Sequence, residues 1–253
     1  MAADKRRRGS TAAYRRRMKR RRRQIQIAVR LLFLLLIAGI LILAGVGITK
    51  ALGGRNGRAQ AQQVSSNQAV SQKVVVTPPD YDVQLLTIND YSRPGLAIDE
   101  VNGIVVHYTA NPGTTAQQNR DYFESLKDTH ETHVSSQFVI GLEGEIIQCV
   151  PCNEIAYASN DRNSDTVSIE CCIEDESGRF NEATYQTLIH LTAWLCGRYG
   201  LTTDDVIRHY DVTGKMCPKY YVKNEDAWDE FKADVNAYIE TYGVSSEEAQ
   251  SME

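Results

Sequence analysis

Along the 253-residue chain, the pattern of hydrophobic and polar positions divides the sequence into distinct segments. Residues 31–49 form an apolar run of 19 residues without a formal charge. At about 1.5 Å per residue such a helix crosses a ~30 Å hydrocarbon core, so the run predicts a transmembrane helix. Residues 50–73 are poor in large apolar side chains and rich in Gln, Ser, Ala and Gly, which indicates a flexible linker. Alternating β-branched and helical runs then predict a globular α/β domain at 74–243, followed by a disordered tail at 244–253.

Short apolar runs rich in β-branched residues predict the strands of this domain. Glu143 and Gly144 separate two of these runs, a spacing that is typical of a tight hairpin. Because the runs alternate with helical patterns, we predict an α/β fold with a single mixed β-sheet flanked by helices. The predicted strands are 103–109, 136–142, 145–150, 167–173 and 206–210.

The predicted helices are marked by their periodicity and by the residues at their ends. Asn181 is suited to cap a helix that runs to Gly200, a residue that favours a left-handed stop. Asn224 precedes a second helix, which begins with acidic residues and ends at Gly243. A third helix is expected at 115–126, where it would follow the first strand as the helix of a strand–helix crossover.

Charge is distributed unevenly along the chain, and this decides the predicted orientation. Residues 1–30 hold 13 of the 28 Lys and Arg but only one acidic residue, Asp4. The positive-inside rule therefore predicts a basic cytoplasmic tail at 1–30, a single-pass anchor in the cell membrane and an extracellular domain. A signal peptide has an apolar run of roughly 7–15 residues, so an uncleaved anchor is favoured, with cleavage near 44–47 as the alternative.

The charge of the remaining chain argues against a nucleic-acid partner. Residues 31–253 carry 15 basic and 31 acidic side chains, a net charge of −16 that repels nucleic acid. The basic tail is interpreted as an orientation signal that also attracts anionic lipid head groups. A DNA-associated membrane protein would be the alternative, but no DNA-binding fold accompanies the basic charge. The sequence gives no indication of the oligomeric state.

Two histidines and a cysteine form a candidate metal site. His107 in IVVHYT and His209 in VIRHY end strand-like runs, and Cys217 follows eight residues after the second histidine. Ligands collect beyond strand ends in open α/β sheets. Catalytic zinc is held by three protein ligands, often imidazole or thiolate, with one position left for water. By spacing alone, a buried thiol and two hydrogen-bonded imidazoles would fit about equally well.

Four segments within roughly residues 75–240 carry a more specific signal: GIVVHYTANPGTTAQQNRDYF, VSSQFVIGLEGEIIQCVPCNEIAYASN, DTVSIECC and IRHYDVTGKMCP. Together they resemble the zinc-dependent N-acetylmuramoyl-L-alanine amidases of type 2, which are related to phage lysozyme-type amidases and peptidoglycan recognition proteins. The resemblance implies that Zn²⁺ is bound by His107, His209 and Cys217. It also implies that Glu170 is the general base and that Lys215 stabilises developing negative charge.

The chain departs from both branches of this family. The branch with a Lys-x-Cys ending often has a catalytic Tyr on the strand where this chain has Ser136. The branch with the glutamate often has Asp as its third ligand and His at the position of Ala158. We therefore expect Glu170, rather than a residue near Ser136, to act as base. Substrate contacts are expected from His133, Ser136 and Tyr108.

The resemblance implies a membrane-tethered enzyme that hydrolyses the amide bond between N-acetylmuramic acid and L-alanine in peptidoglycan. A non-catalytic peptidoglycan-binding or sensing module is the alternative, although family members that only bind typically lack the third ligand, and Cys217 is present. The five other cysteines are an odd set, which excludes a complete disulfide framework within one chain. We expect these thiols to lie in the core.

Overall fold

A computed structural model of the protein describes residues 74–245. The predicted cytoplasmic tail, membrane anchor and linker, together with residues 246–253 of the predicted C-terminal tail, lie outside the described residues. Within the described part of the chain, no helix is both long enough and apolar enough to span a membrane.

The centre of the domain is a six-stranded mixed sheet, accompanied by a two-stranded ribbon. The strands are β1 (Val74–Val75), β2 (Asp82–Val83), β3 (Ile104–Tyr108), β4 (Phe138–Ile140), β5 (Ile146–Gln148), β6 (Val167–Cys171), β7 (Val206–Arg208) and β8 (Val244–Ser245). The spatial order in the large sheet is β2-β5-β4-β6-β3-β7, with β4 and β5 antiparallel and the other neighbours parallel. The mixed sheet, its five predicted strands and the β4–β5 hairpin are confirmed.

Five α-helices connect and cover these strands in the described chain, together with two short 3₁₀ helices, Asn160–Arg162 and Thr203–Asp205. The α-helices are α1 (Ala116–Thr129), α2 (Glu182–Tyr199), α3 (His209–Thr213), α4 (Lys219–Lys223) and α5 (Glu225–Tyr242). As predicted, Asn181 caps α2 by accepting a hydrogen bond from Thr184 N, and Gly200 ends it in the left-handed region at φ 68°. Asn224 directly precedes α5 but makes no capping bond with its side chain, which instead donates to Tyr220 O at 2.9 Å.

The sheet divides the core into two layers. Helices α2 and α5 cover the face that carries Ile104, Val106 and Ile169. Helix α1 covers part of the opposite face, the one that carries Val139 of β4. Val139 is the register partner of Glu170, which in turn pairs with His107. Because directly paired residues of adjacent strands project to the same side, His107 and Glu170 share the α1 face.

The two ends of the described chain are joined on the α2 side of the domain. Val74 and Val75 pair with Ser245 and Val244 of β8, the first two residues of the predicted tail. This segment lies so close to α2 that a Cβ added to Gly197 would be 2.9 Å from Val74 O. The described chain therefore begins on the face of the sheet opposite His107.

The cysteines are all buried as free thiols. Burial raises the pKa of the Cys149, Cys172 and Cys196 thiols to about 12. They are therefore protonated at neutral pH and pack as small apolar side chains, which confirms the expected core positions.

Candidate metal centre

Three potential metal ligands from separate elements converge at one end of the sheet. His107 lies on β3, His209 is the first residue of α3, and Cys217 lies in the loop between α3 and α4. His107 Nδ1 is 3.1 Å from His209 Nδ1 and 3.7 Å from Cys217 Sγ. The three ligand atoms all lie within 4.8 Å of one another. The structure thus brings together the three predicted ligands, although His209 begins a helix instead of ending a strand.

The two imidazoles have a geometry that fits a cation between them. Their Nδ1 atoms face each other, while His107 Nε2 lies 3.2 Å from Ser159 Oγ and His209 Nε2 lies 3.0 Å from Asn160 Oδ1. Burial lowers the pKa of His107 well below its usual value and that of His209 to about 4. Both rings are therefore neutral at pH 7 and can offer a lone pair. Two imidazoles and one thiol form a donor set that zinc prefers.

Cys217 is held in place by backbone hydrogen bonds around its loop. Tyr210 N donates to Cys217 O at 2.9 Å, and Cys217 N donates to Lys215 O at 2.7 Å. Burial raises the pKa of the Cys217 thiol to about 12, against the opposing effect of a backbone hydrogen bond from Tyr108. A coordinated cation deprotonates such a thiol, so metal binding would reverse this shift.

Arg208 fixes the start of α3, directly before the ligand His209. Its guanidinium donates to Asp211 at 3.0–3.1 Å, to Glu225 at 2.8–3.1 Å and to the backbone oxygen of Tyr221 at 2.9 Å. Burial opposes the charge of Arg208, but these two carboxylates raise its pKa overall. The result is a rigid link between β7, α3 and α5 that determines where the neighbouring imidazole projects.

Glu170 lies beside His107 on the adjacent strand, in register with it. The residue keeps some exposure to solvent, but its Oε2 atom is buried and has no hydrogen-bond partner within residues 74–245. Burial raises the pKa of this carboxyl to about 8, whereas the charge of Lys215 acts to lower it. A carboxyl group that titrates near neutral pH beside a metal site is suited to exchange protons.

Lys215 is an exposed residue of the loop that carries Cys217. Its positive charge lowers the pKa of His107, His209 and Glu170, so its ammonium group lies close enough to influence the whole centre. The ammonium makes no ion pair with the rest of the described chain. It is therefore available to an anionic group that enters the site.

The three predicted substrate-contacting residues occupy different environments. Ser136 is fully buried, and its hydroxyl donates to the backbone oxygens of Phe138 and Ser168. The ring of Tyr108 packs on the opposite face of the sheet from His107. Strand alternation turns the ring of Tyr108 to the other face of the sheet, and substrate contact by Tyr108 and Ser136 stays a prediction. His133 is exposed and stacks on a tyrosine ring, with 4.8 Å between the ring centroids, and its substrate contact stays a prediction.

Sequence reasoning missed Ser159 and Asn160, which contact the histidine ligands. They lie between β5 and β6, 52 residues after His107 and 49 before His209. The only signal in the sequence is a cluster of small polar residues, which is typical of many surface loops. Contacts over such separations depend on the fold and are not visible in a local pattern.

Comparison with known proteins finds a family model and named relatives that resemble this domain. Residues 98–220 match the family model described as N-acetylmuramoyl-L-alanine amidase. N-acetylmuramoyl-L-alanine amidase CwlL of Bacillus licheniformis is 36% identical over 170 residues, which cover 62% of this chain and 47% of that protein. N-acetylmuramoyl-L-alanine amidase BlyA of Bacillus subtilis (strain 168) is 33% identical over 181 residues, which cover 63% and 48%. The chain therefore spans about half the length of these curated relatives.

Solved structures share the architecture. The catalytic domain of XlyA has 27% sequence identity and a TM-score of 0.53, with 62% of this chain and 99% of that chain covered. PlyL has 22% identity and a TM-score of 0.54, with 62% and 97% covered, and shares the fold. The match of residues 98–220 to the N-acetylmuramoyl-L-alanine amidase family model, together with these relatives, bears out the resemblance of the motifs.

Proposed function

We propose that this domain is a zinc-dependent hydrolase that cleaves the amide bond between N-acetylmuramic acid and L-alanine in peptidoglycan. The observation that carries the proposal is the convergence of His107, His209 and Cys217 beside Glu170, whose Oε2 atom has no hydrogen-bond partner among the described residues. The relatives described above bear the name of this activity, which supports the choice of substrate.

The proposed reaction divides the chemistry between the metal and the protein. When held by His107, His209 and Cys217, zinc would supply a Lewis acid and make water acidic enough to react near pH 7. Glu170 takes a proton from the attacking water, whose oxygen bonds to the carbonyl carbon of the amide. The carbon–nitrogen bond then breaks, and Glu170 returns the proton to the departing amine.

Glu170 and Lys215 have environments suited to these separate steps. Without a metal, burial raises the pKa of the Glu170 carboxyl to about 8, and the charge of Lys215 acts against that shift. A zinc ion held beside it would lower this pKa further, so that the carboxylate form is free to accept a proton near neutral pH. Lys215 carries its charge at the rim of the same centre and would stabilise the negative charge that develops on the carbonyl oxygen. The two groups therefore act on different atoms of the same amide.

The membrane-bound placement of this activity is part of the proposal. Residues 31–49 would anchor the chain with residues 1–30 in the cytoplasm and the catalytic domain outside the cell, where peptidoglycan lies. A flexible linker of 24 residues has a typical span of about 25–30 Å, which would confine cleavage to the inner wall. Proteolysis of intact protoplasts tests this topology: we expect loss of the domain, and full protection would contradict the orientation.

Zymography on purified cell walls tests the activity directly. The full-length chain should clear the substrate, and Cys217→Ala should abolish clearing because a zinc ligand is lost. Cys196→Ala is the matched control, since it removes an equally buried thiol from α2. Circular dichroism should establish that each variant is folded. Equal clearing by Cys217→Ala and the parent would contradict the zinc mechanism.

A non-catalytic peptidoglycan-binding or sensing module is the second candidate. It is favoured by one observation: Ser136 stands where the Lys-x-Cys branch often has a catalytic tyrosine, and its hydroxyl is buried. The presence of Cys217 favours the enzyme. Metal analysis of protein purified without chelator separates the two, because a zinc-free chain that still binds peptidoglycan would support the module.

A further inference from the structure

The loop between β5 and β6 contacts both histidine ligands through two consecutive residues. Ser159 Oγ lies 3.2 Å from His107 Nε2, and Asn160 Oδ1 lies 3.0 Å from His209 Nε2. We propose that Ser159 and Asn160 are positioning residues, which fix the tautomer and orientation of both imidazoles so that each presents Nδ1 to zinc. This inference rests on the proposed zinc site.

The hydrogen-bonding capacity of these two side chains determines the tautomers. The amide oxygen of Asn160 can only accept, so His209 must carry its proton on Nε2 and keep a lone pair on Nδ1. Ser159 Oγ also lies 3.0 Å from Ser168 Oγ. When Ser159 donates its one hydroxyl hydrogen to Ser168, it accepts the Nε2 proton of His107. Both Nδ1 atoms, which face each other at 3.1 Å, are then free to bind a cation.

The loop is built to hold these contacts in one geometry. Ser159 is fully buried, and the backbone N–H groups of Ala158 and Ser159 both donate to Asn163 Oδ1. Asn160 adopts the left-handed region at φ 53°, where asparagine is tolerated better than most residues other than glycine. A loop ordered in this way presents its two side chains to the imidazoles without further rearrangement. Mutation of a residue that hydrogen-bonds a metal-ligating histidine typically weakens metal binding by about 10–100-fold.

Three substitutions separate positioning from general structural damage. Ser159→Ala removes the hydroxyl that faces His107. Asn160→Gly removes the amide oxygen but keeps the left-handed backbone accessible, so the loop is not strained by the change. Asn160→Asp retains an acceptor at the same place and serves as the conservative rescue. Ser92→Ala is the matched control, because Ser92 is an equally buried serine whose hydroxyl accepts a hydrogen bond from Asn89.

The measurement is the zinc affinity of the full-length chain in mild detergent, obtained by competition with a chromogenic chelator. A Cys217→Ser variant gives the background from the five other thiols. The ligand-field spectrum of the cobalt-substituted protein reports the coordination geometry independently of activity. Thermal unfolding of the metal-free variants shows whether the fold itself has changed.

We expect Ser159→Ala and Asn160→Gly each to weaken zinc binding by about 10–100-fold and to alter the cobalt spectrum. Asn160→Asp should bind zinc within about threefold of the parent, and Ser92→Ala should be unchanged. Parent-like zinc affinity in both Ser159→Ala and Asn160→Gly would overturn the inference while leaving the proposed function intact. A parent chain that binds no zinc at this site would overturn both. If Asn160→Gly does not fold, Ser159→Ala decides the result.

Discussion

Replacing Glu170 with glutamine should remove a pH-dependent instability that the metal-free domain carries at its centre. Burial raises the pKa of this carboxyl from 4.5 to about 8 in the folded state. Between these two values the folded protein keeps a proton that the unfolded chain has lost. Stability is therefore fully present below about pH 4.5 and falls as the pH rises toward 8, the sign expected when the unfolded state binds fewer protons.

The magnitude follows from the size of the shift. One pKa unit corresponds to about 1.4 kcal/mol, so raising the pH from 5 to 8 should destabilise the parent by about 3 kcal/mol through this group alone. Glu170→Gln has no such titration. The difference in pH dependence between the two proteins isolates this carboxyl, because the other titrating groups are common to both.

Urea unfolding of the metal-free proteins, followed by tryptophan fluorescence at pH 5 and pH 8, measures this difference. We expect the free energy of unfolding of the parent to fall by about 2–4 kcal/mol more than that of Glu170→Gln over this range. Equal pH dependence in the two proteins would refute the conclusion that Glu170 is desolvated and unpaired.

Further predictions concern the groups around the ligands. Arg208→Ala should destabilise the fold by about 3 kcal/mol in urea unfolding, because Asp211 and the Tyr221 carbonyl lose their partner; a loss below about 0.5 kcal/mol would contradict this. Lys215→Ala should lower kcat by about 100–1,000-fold in a muropeptide release assay, with zinc affinity retained; an unchanged kcat would exclude a role in charge stabilisation. Saturating zinc, at about 1,000 times its Kd, should stabilise the parent by about 4 kcal/mol in thermal unfolding, and no shift in Tm would argue against a site present only in the folded state.

The sequence predicted best those elements whose formation depends on residues that are close together in the chain. Helix α2 was predicted from its cap at Asn181 and its stop at Gly200, and both act as expected. The short strands β2 and β8 escaped prediction because two residues are too few to produce a periodic pattern. Their pairing depends on neighbours that lie far away in the chain.

Only the residues of the candidate site that lie in recognisable motifs could be predicted from the sequence. His107, His209 and Cys217 lie in such motifs, and the structure brings them together. The orientation of Ser136 could not be read from its motif, because its burial is set by hydrogen bonding to the carbonyl of Ser168 on the neighbouring strand. The contacts of Asn160 likewise result from a fold in which a loop crosses behind the ligands.

X-ray absorption at the zinc edge of the metal-loaded full-length chain tests the central claim most directly. The proposed site predicts one sulfur ligand at about 2.3 Å and two nitrogen ligands at about 2.0–2.1 Å, with the sulfur lost in Cys217→Ala. Zinc surrounded by several sulfur atoms, or sulfur scattering that persists in Cys217→Ala, would place the metal on other thiols and contradict the proposed centre.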